Sequence, residues 1–119
     1  MLTKYKKSAE KVAMGLMSFM PGGRDLKTLQ SMMQHYEENP NWNLYLWKLD
    51  DDIVGLIGIE VNNESFTIHH VSVNPSFRNE GIGQTMVEKV QQLHDTLEMH
   101  ANKETNTFLA KCKETYHAV

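Results

Sequence analysis

The residues whose types and spacing could do chemistry are concentrated in one stretch: His69-His70-Val71-Ser72-Val73-Asn74-Pro75-Ser76-Phe77-Arg78-Asn79-Glu80-Gly81-Ile82-Gly83-Gln84. A strand-like apolar run stops at Asn74-Pro75, and a glycine-containing loop then opens a helical pattern. The first N–H groups of a helix have no intrahelical acceptor, so they suit a phosphate, and the helix dipole adds to the attraction. Glycine at 81 and 83 is expected to remove Cβ atoms that would hold such an anion away. His69 and His70 lie just upstream and are candidate proton acceptors, since a histidine ordinarily titrates near neutrality. Glu60, on the preceding strand-like run, is a rival base, although a carboxylate at a strand end is usually just solvated. As neighbours on a strand the two histidines are expected to point to opposite faces, which makes them poor joint metal ligands, and no metal site is expected. Cys112, on the apolar side of a late helical pattern, reads as core.

The glycine loop is not of two familiar kinds. Gln84-Thr85 stands where a P-loop needs Lys-Ser/Thr, and the third glycine of a dinucleotide fingerprint is missing. The chain has 119 residues, which fits one domain, 1–119, with enough buried surface for a core without disulfides. Its single cysteine has no partner in its own chain, and a cytoplasmic location is expected. The formal net charge of -3 gives no general attraction to nucleic acid or to an anionic membrane. Lys4, Lys6, Lys7 and Lys11 precede an apolar run at 12–20 and imitate a signal peptide. That run is short, contains Gly15 and Ser18, and ends without a small-x-small cleavage pattern, so it is read as part of the fold.

The elements that must position these residues follow from period and turn chemistry. Residues 2–6 suit a short strand. Ser8 is expected to cap a helix reaching about residue 19, with Val12, Leu16 and Phe19 on one face. Pro21-Gly22-Gly23 breaks the chain, and Asp25 caps a second helix carrying Leu26, Leu29, Met33 and Tyr36. Strands are predicted at 44–49, 53–61 and 66–73, with turns at Asp50-Asp51-Asp52 and Asn62-Asn63-Glu64-Ser65. A helix over 84–94 should turn Met86, Val87, Val90 and Leu93 inward. A strand over 97–101 and a helix over 105–113 complete the order, the helix with Phe108, Leu109 and Cys112 as its apolar side. The order implies a mixed sheet covered by helices.

The pattern Val71-x-Val73-x-Pro75-x-x-Arg78-x-x-Gly81-x-Gly83 resembles motif A of the GNAT (GCN5-related N-acetyltransferase) family, Gln/Arg-x-x-Gly-x-Gly/Ala after a Val-x-Val-x-Pro strand end. The order of elements agrees along nearly the whole chain. The resemblance implies the α/β (α+β) acyl-CoA acyltransferase fold, a mixed and mostly antiparallel sheet flanked by helices. It also implies acetyl-CoA as acyl donor and an amine, small molecule or protein, that attacks it directly in a ternary complex. By the same resemblance Val71, Ser72 and Val73 would lie along the pantetheine arm, with the Val71 backbone N–H as oxyanion donor. Arg78, Asn79, Glu80, Gly81, Ile82, Gly83 and Gln84 would wrap the pyrophosphate, and Asn102 would contact the cofactor.

The sequence departs from the family in two places. Leu109 stands where many members carry a tyrosine that protonates the leaving thiolate. The residues after Lys113 are too few for the family's final hairpin, so the domain is expected to be C-terminally truncated and the 97–101 strand left at an edge. Leu97 and Met99 give that strand an apolar side, and a homodimer is expected to cover it. These departures leave an alternative open: a catalytically idle coenzyme-A-binding module that acts through a protein partner. Tyr5-Lys6-Lys7-Ser8, the segment from Ala13 to Pro21, Leu46-Trp47-Lys48 and the segment from Ile68 to Pro75 are similar to small members of the family encoded alongside riboflavin-synthesis genes, which would link that module to riboflavin biosynthesis. A phosphate-binding regulatory domain unrelated to coenzyme A leaves the whole-chain resemblance unexplained.

Overall fold

Alternation of side chains along three central strands divides the protein into two cores, one on each side of a single sheet. The computed structural model describes residues 1–20 and 25–109. Its elements are β1 (Leu2–Lys4), α1 (Glu10–Met17), α2 (Leu26–Glu38), β2 (Trp42–Leu49), β3 (Asp52–Val61), β4 (Ser65–Val73), α3 (Ile82–Leu93) and β5 (Glu98–Ala101). Short 3-10 turns occupy Lys7–Ala9 and Pro75–Phe77, and a last helix, α4, is described over 103–109. The strands lie in the order β1-β2-β3-β4-β5. All neighbours are antiparallel except β4 and β5, which are parallel. This is the mixed, mostly antiparallel sheet flanked by helices that the sequence predicts. No helix among the described residues is long and apolar enough to cross a membrane.

On one face α1 and α2 cover Leu44, Leu46 and Leu56 with Ala13, Leu16, Met17, Leu29, Met33 and Tyr36. On the other, α3 and α4 cover Val54, Ile57, Ile59, Phe66 and Ile68 with Ile82, Met86, Val87, Val90 and Leu109. Asp25 caps α2 as expected, its carboxylate accepting from the Thr28 N–H at 2.7 Å. The Thr28 hydrogen bonds also hold the Asp25 carboxyl below its usual range.

The phases of two helices differ from the sequence expectation. Ser8 lies inside the 3-10 turn and caps nothing; α1 begins after Ala9, which makes no side-chain cap. The buried face of α1 is Ala13, Leu16 and Met17, while Val12 and Phe19 are each 45% exposed. The helix ends at Met17, so Phe19 lies beyond the periodicity that would have turned it inward. Leu93, at the last position of α3, is exposed rather than inward. The Pro21-Gly22-Gly23 break and Cys112 fall outside the described residues, as does the chain after residue 109.

The expectation that His69 and His70 point to opposite faces is overturned. β4 pairs Ile68 with Ile59 and His70 with Gly58, so His69 is an extra residue opposite none: a β-bulge. Inserting one residue reverses the alternation that follows. Ile68 faces the α3 core, and Val71 packs against that same core three residues later. Both His69 and His70 therefore turn to the α2 side, with ring centroids 6.4 Å apart. Gly58, opposite the bulge, is needed for close approach: a Cβ there would meet the Tyr36 hydroxyl at 2.0 Å.

Candidate active site

The site begins where β4 and β5 part. Their parallel pairing ends at Ile68 and Ala101, and the last rung is the Asn102 N–H donating to the Ile68 carbonyl at 3.3 Å. Asn102 caps α4: its Oδ1 accepts from the Thr105 N–H at 2.8 Å, and its carbonyl accepts from the Asn106 N–H. The buried Thr105 hydroxyl donates to the Ile68 carbonyl at 2.6 Å. The polypeptide is thus turned away from β4 into a helix, and the rest of β4 keeps a backbone edge that no strand covers among the described residues.

Hydrogen-bond alternation says which groups that edge presents. The Asn74 N–H donates to the Val54 carbonyl at 2.8 Å, which sets Asn74 on the β3 side. Two-residue alternation puts the backbone of Ser72 on that side as well, and those of Val71 and Val73 on the open side. The Val71 and Val73 backbone groups therefore lie on the open edge. Ser72 is different: its backbone serves the β3 ladder, and its buried hydroxyl donates to the Leu16 carbonyl at 2.6 Å, tying α1 to the sheet.

Beyond Val73 the loop turns sharply. Asn74 Oδ1 accepts from the Ser76 N–H at 2.9 Å and stops the strand. Asn79 and Gly81 take left-handed backbone conformations, with φ of 68° and 79°. Gly81 is the residue before α3, and no side chain caps that helix. Thr85 returns both its N–H and its hydroxyl to the Gly81 carbonyl, leaving the N–H groups of Ile82, Gly83 and Gln84 without intrahelical acceptors. The Arg78 Nε donates to the Val73 carbonyl at 3.3 Å, so the loop's one guanidinium lies over the open strand edge.

These pieces enclose a cleft of about 660 Å³ lined by Val71, Ser72, Val73, Arg78, Asn79, Gly81, Ile82, Gly83 and Gln84. Phe19, Met20, Phe77 and Phe108 supply its apolar walls. Glu80 and Asn102 are not among its lining residues. The two glycines act differently from the sequence reading. A Cβ on Gly81 would meet nothing within 4 Å, and its positive φ is what requires glycine there. A Cβ on Gly83 would lie 2.5 Å from the Phe108 Cζ, so this glycine admits an aromatic ring against the start of α3.

Phe108 and Leu109 both pack on the α3 side, as the apolar side predicted for the last helix requires, but they differ in burial. Leu109 is 5% exposed and belongs to the α3 core, whereas Phe108 faces the cleft. Sequence reasoning missed Phe108, Phe19 and Phe77 as cleft residues. The available signal was an aromatic residue one position before Leu109 in a helix that must pack beside a glycine.

On the α2 side of the bulge, two polar pairs form. His69 Nε2 lies 3.1 Å from Glu60 Oε1, and its Nδ1 is 3.3 Å from Asn102 Nδ2. The same Asn102 amide donates to the His69 carbonyl at 3.1 Å. The Trp42 ring stacks on His69 with centroids 4.2 Å apart and a 21° interplanar angle. The other pair is Tyr36 with His70, hydroxyl to Nδ1 at 2.5 Å. Burial pushes the Tyr36 phenol well above its ordinary range, so it stays protonated. The structure thus gathers the three candidate bases beside the point where the sheet opens. No group of three or more His, Cys, Asp or Glu among the described residues is placed to hold a metal.

Comparison with known proteins agrees with this geometry. Residues 12–111 match the model of the acetyltransferase (GNAT) family. An uncharacterized N-acetyltransferase of the lysA 3′ region in Bacillus methanolicus is 49% identical over 114 residues, covering 95% of each chain. Among solved structures, a possible acetyltransferase from Clostridium difficile superposes with a TM-score of 0.78 at 11% identity, covering 100% of this chain and 89% of that one. An aminoglycoside N-acetyltransferase, AAC(6′)-Iy, in complex with coenzyme A gives 0.77 at 13% identity, covering 99% and 84%. At such identities the structural matches show a shared fold. The matched sequence model and the near-half-identical relative, together with the split between β4 and β5 and the loop that opens α3, place this chain in the GNAT acetyltransferase family, as an enzyme of that family.

Proposed function

We propose that the chain transfers an acetyl group from acetyl-CoA to an amine by direct attack in a ternary complex. One observation carries this: the Val71 and Val73 backbone edge, which no strand covers among the described residues, lines one cleft with the uncapped start of α3. An extended chain bearing amides can add to the strand edge. Its pyrophosphate then meets the free N–H groups of Ile82, Gly83 and Gln84, with Arg78 and Asn79 alongside. The Val71 N–H is the oxyanion donor, aimed at where charge develops on the thioester oxygen. The structural relative bound to coenzyme A supports the choice of donor.

Calorimetry with acetyl-CoA tests this directly. The parent chain should bind, and Arg78→Glu should weaken binding at least tenfold, by removing the loop's cation and placing a like charge beside the pyrophosphate. Equal affinity in the two proteins would place the phosphates elsewhere.

The similarity of residues 5–8, 13–21, 46–48 and 68–75 to RibT, the small GNAT-like protein encoded alongside riboflavin-synthesis genes, supports a genomic setting rather than an acceptor. The single cysteine supports a reducing cytoplasm. A homodimer is supported by the outer backbone edge of β5, which no described strand pairs. Its apolar side lends no support, because Leu97, Met99 and Ala101 pack against the protein's own α3 core. Sedimentation equilibrium at micromolar concentration should give twice the chain mass. A monomer mass at every concentration would refute the dimer.

A further inference from the structure

The two histidines of the bulge have different neighbours, and the difference decides which of them can take a proton. The buried Tyr36 phenol keeps its proton and donates it to His70 Nδ1. That hydrogen bond occupies His70 Nδ1, the nitrogen a base at this position would otherwise offer. His69 is arranged the other way. Asn102 Oδ1 accepts from the Thr105 N–H at 2.8 Å, which fixes the amide and turns its NH₂ toward His69. That NH₂ donates to the His69 carbonyl at 3.1 Å, and it can only donate to Nδ1 as well. His69 Nδ1 therefore holds the lone pair, and Nε2–H donates to the Glu60 carboxylate at 3.1 Å. A base whose second nitrogen is held by a carboxylate is the arrangement that orients an imidazole for proton transfer. Trp42 stacks on the ring and fixes its plane. The Nδ1 atom lies beside Asn102, whose N–H forms the last rung before β4 and β5 separate, two residues from the Val71 N–H on the open edge.

We propose that His69, oriented by Glu60 and backed by Trp42, takes the proton from the attacking amine. This rests on the acetyl-transfer assignment above. The amine nitrogen attacks the thioester carbonyl carbon, the N–C bond forms and the C–S bond breaks. The proton lost by the amine passes to His69 Nδ1, displacing the long Asn102 contact. The coenzyme A thiolate leaves and is protonated from solvent, and the imidazolium returns its proton to solvent. His69 is the catalytic residue; Glu60 and Trp42 are positioning residues that act through it.

Diethyl pyrocarbonate, which acylates an imidazole lone pair, tests the assignment without a known acceptor. Modified sites are mapped by tandem mass spectrometry of the full chain. His69 should react at least tenfold faster than His70, and saturating acetyl-CoA should protect it. Glu60→Gln should slow His69 modification several-fold while acetyl-CoA affinity and the Trp fluorescence spectrum of the folded chain stay unchanged. With any primary amine that supports coenzyme A release, His69→Gln should lower turnover by roughly a hundredfold or more without weakening acetyl-CoA binding. Faster modification of His70, or a His69 rate indifferent to Glu60→Gln, would overturn the proposal. A His69 that stays reactive while calorimetry shows acetyl-CoA bound would overturn it too and leave the acetyl-transfer assignment standing. Absence of acetyl-CoA binding in the parent chain would instead remove that assignment, and with it this proton acceptor.

Discussion

Replacing Gly83 with aspartate is expected to abolish measurable acetyl-CoA binding. Two effects act together. The new Cβ falls 2.5 Å from the Phe108 Cζ, so the ring must leave its seat and move into the cleft. The new carboxylate also stands at the start of α3, where the free N–H groups would otherwise meet the pyrophosphate. Two unit charges ~4 Å apart at an effective dielectric constant of ~20 interact by about 4 kcal/mol, enough for a loss of a hundredfold or more. Displacing Phe108 could harm folding as well, so the variant is compared with one that removes the obstacle. In a Phe108→Ala background, Gly83→Ala should fold and bind, whereas Gly83→Asp should fold and fail to bind. Circular dichroism confirms the fold, and calorimetry reads the affinity. An unchanged affinity in Gly83→Asp would show that the phosphates do not meet this helix start.

Phe108→Tyr is expected to raise turnover, and Leu109→Tyr to lower stability. The sequence places the family's missing tyrosine at Leu109, but the structure buries Leu109 in the α3 core and gives the cleft to Phe108. A tyrosine at 109 must push its ring and hydroxyl into packed side chains, at about 1–3 kcal/mol, visible as a lower Tm. At 108 the para position of the ring points at Gly83. An added hydroxyl there has no room against the helix and must swing into the cleft, along the open edge of β4. On the proposed binding mode the thiolate leaves within the same cleft. Transfer from a positioned phenol can contribute ~100-fold, and a gain toward that size is the expected result with an accepted primary amine. A Phe108→Tyr variant that folds, binds acetyl-CoA and turns over no faster would show that solvent already protonates the thiolate without limiting the rate. A gain in Leu109→Tyr with no loss of Tm would reverse the assignment of the two positions.

Much of the fold was legible because its signals are local. Asn74-Pro75 stops β4 through a side-chain turn and a fixed φ, both properties of the residues themselves. Asp25 caps α2 for the same kind of reason, and Leu29, Met33 and Tyr36 keep their helical spacing into the core. The Val-x-Val edge and the glycine loop were likewise readable, since the pattern fixes both the strand end and the helix start. Strand boundaries moved by only a residue or two, as at β2, which begins at Trp42 rather than 44.

What the sequence by itself determined about this protein is thus the order of its elements, the family and the location of the glycine loop that opens α3. Tertiary structure alone decided which side chains share a face. An inserted residue in β4 is invisible in the sequence, because a bulge exists only against the register of a partner strand: Gly58 and Ile59 define His69 as extra. That single residue brings His69 and His70 to one side with Tyr36, Glu60 and Trp42, where strict alternation would have divided them. The phase of α4 is nonlocal in the same way. It is set by Asn102 and Thr105 holding the Ile68 carbonyl and by Gly83 admitting the Phe108 ring, and it puts Phe108 rather than Leu109 in the cleft. Period tells how side chains recur along an element, and only pairing and packing with distant residues set where that recurrence starts.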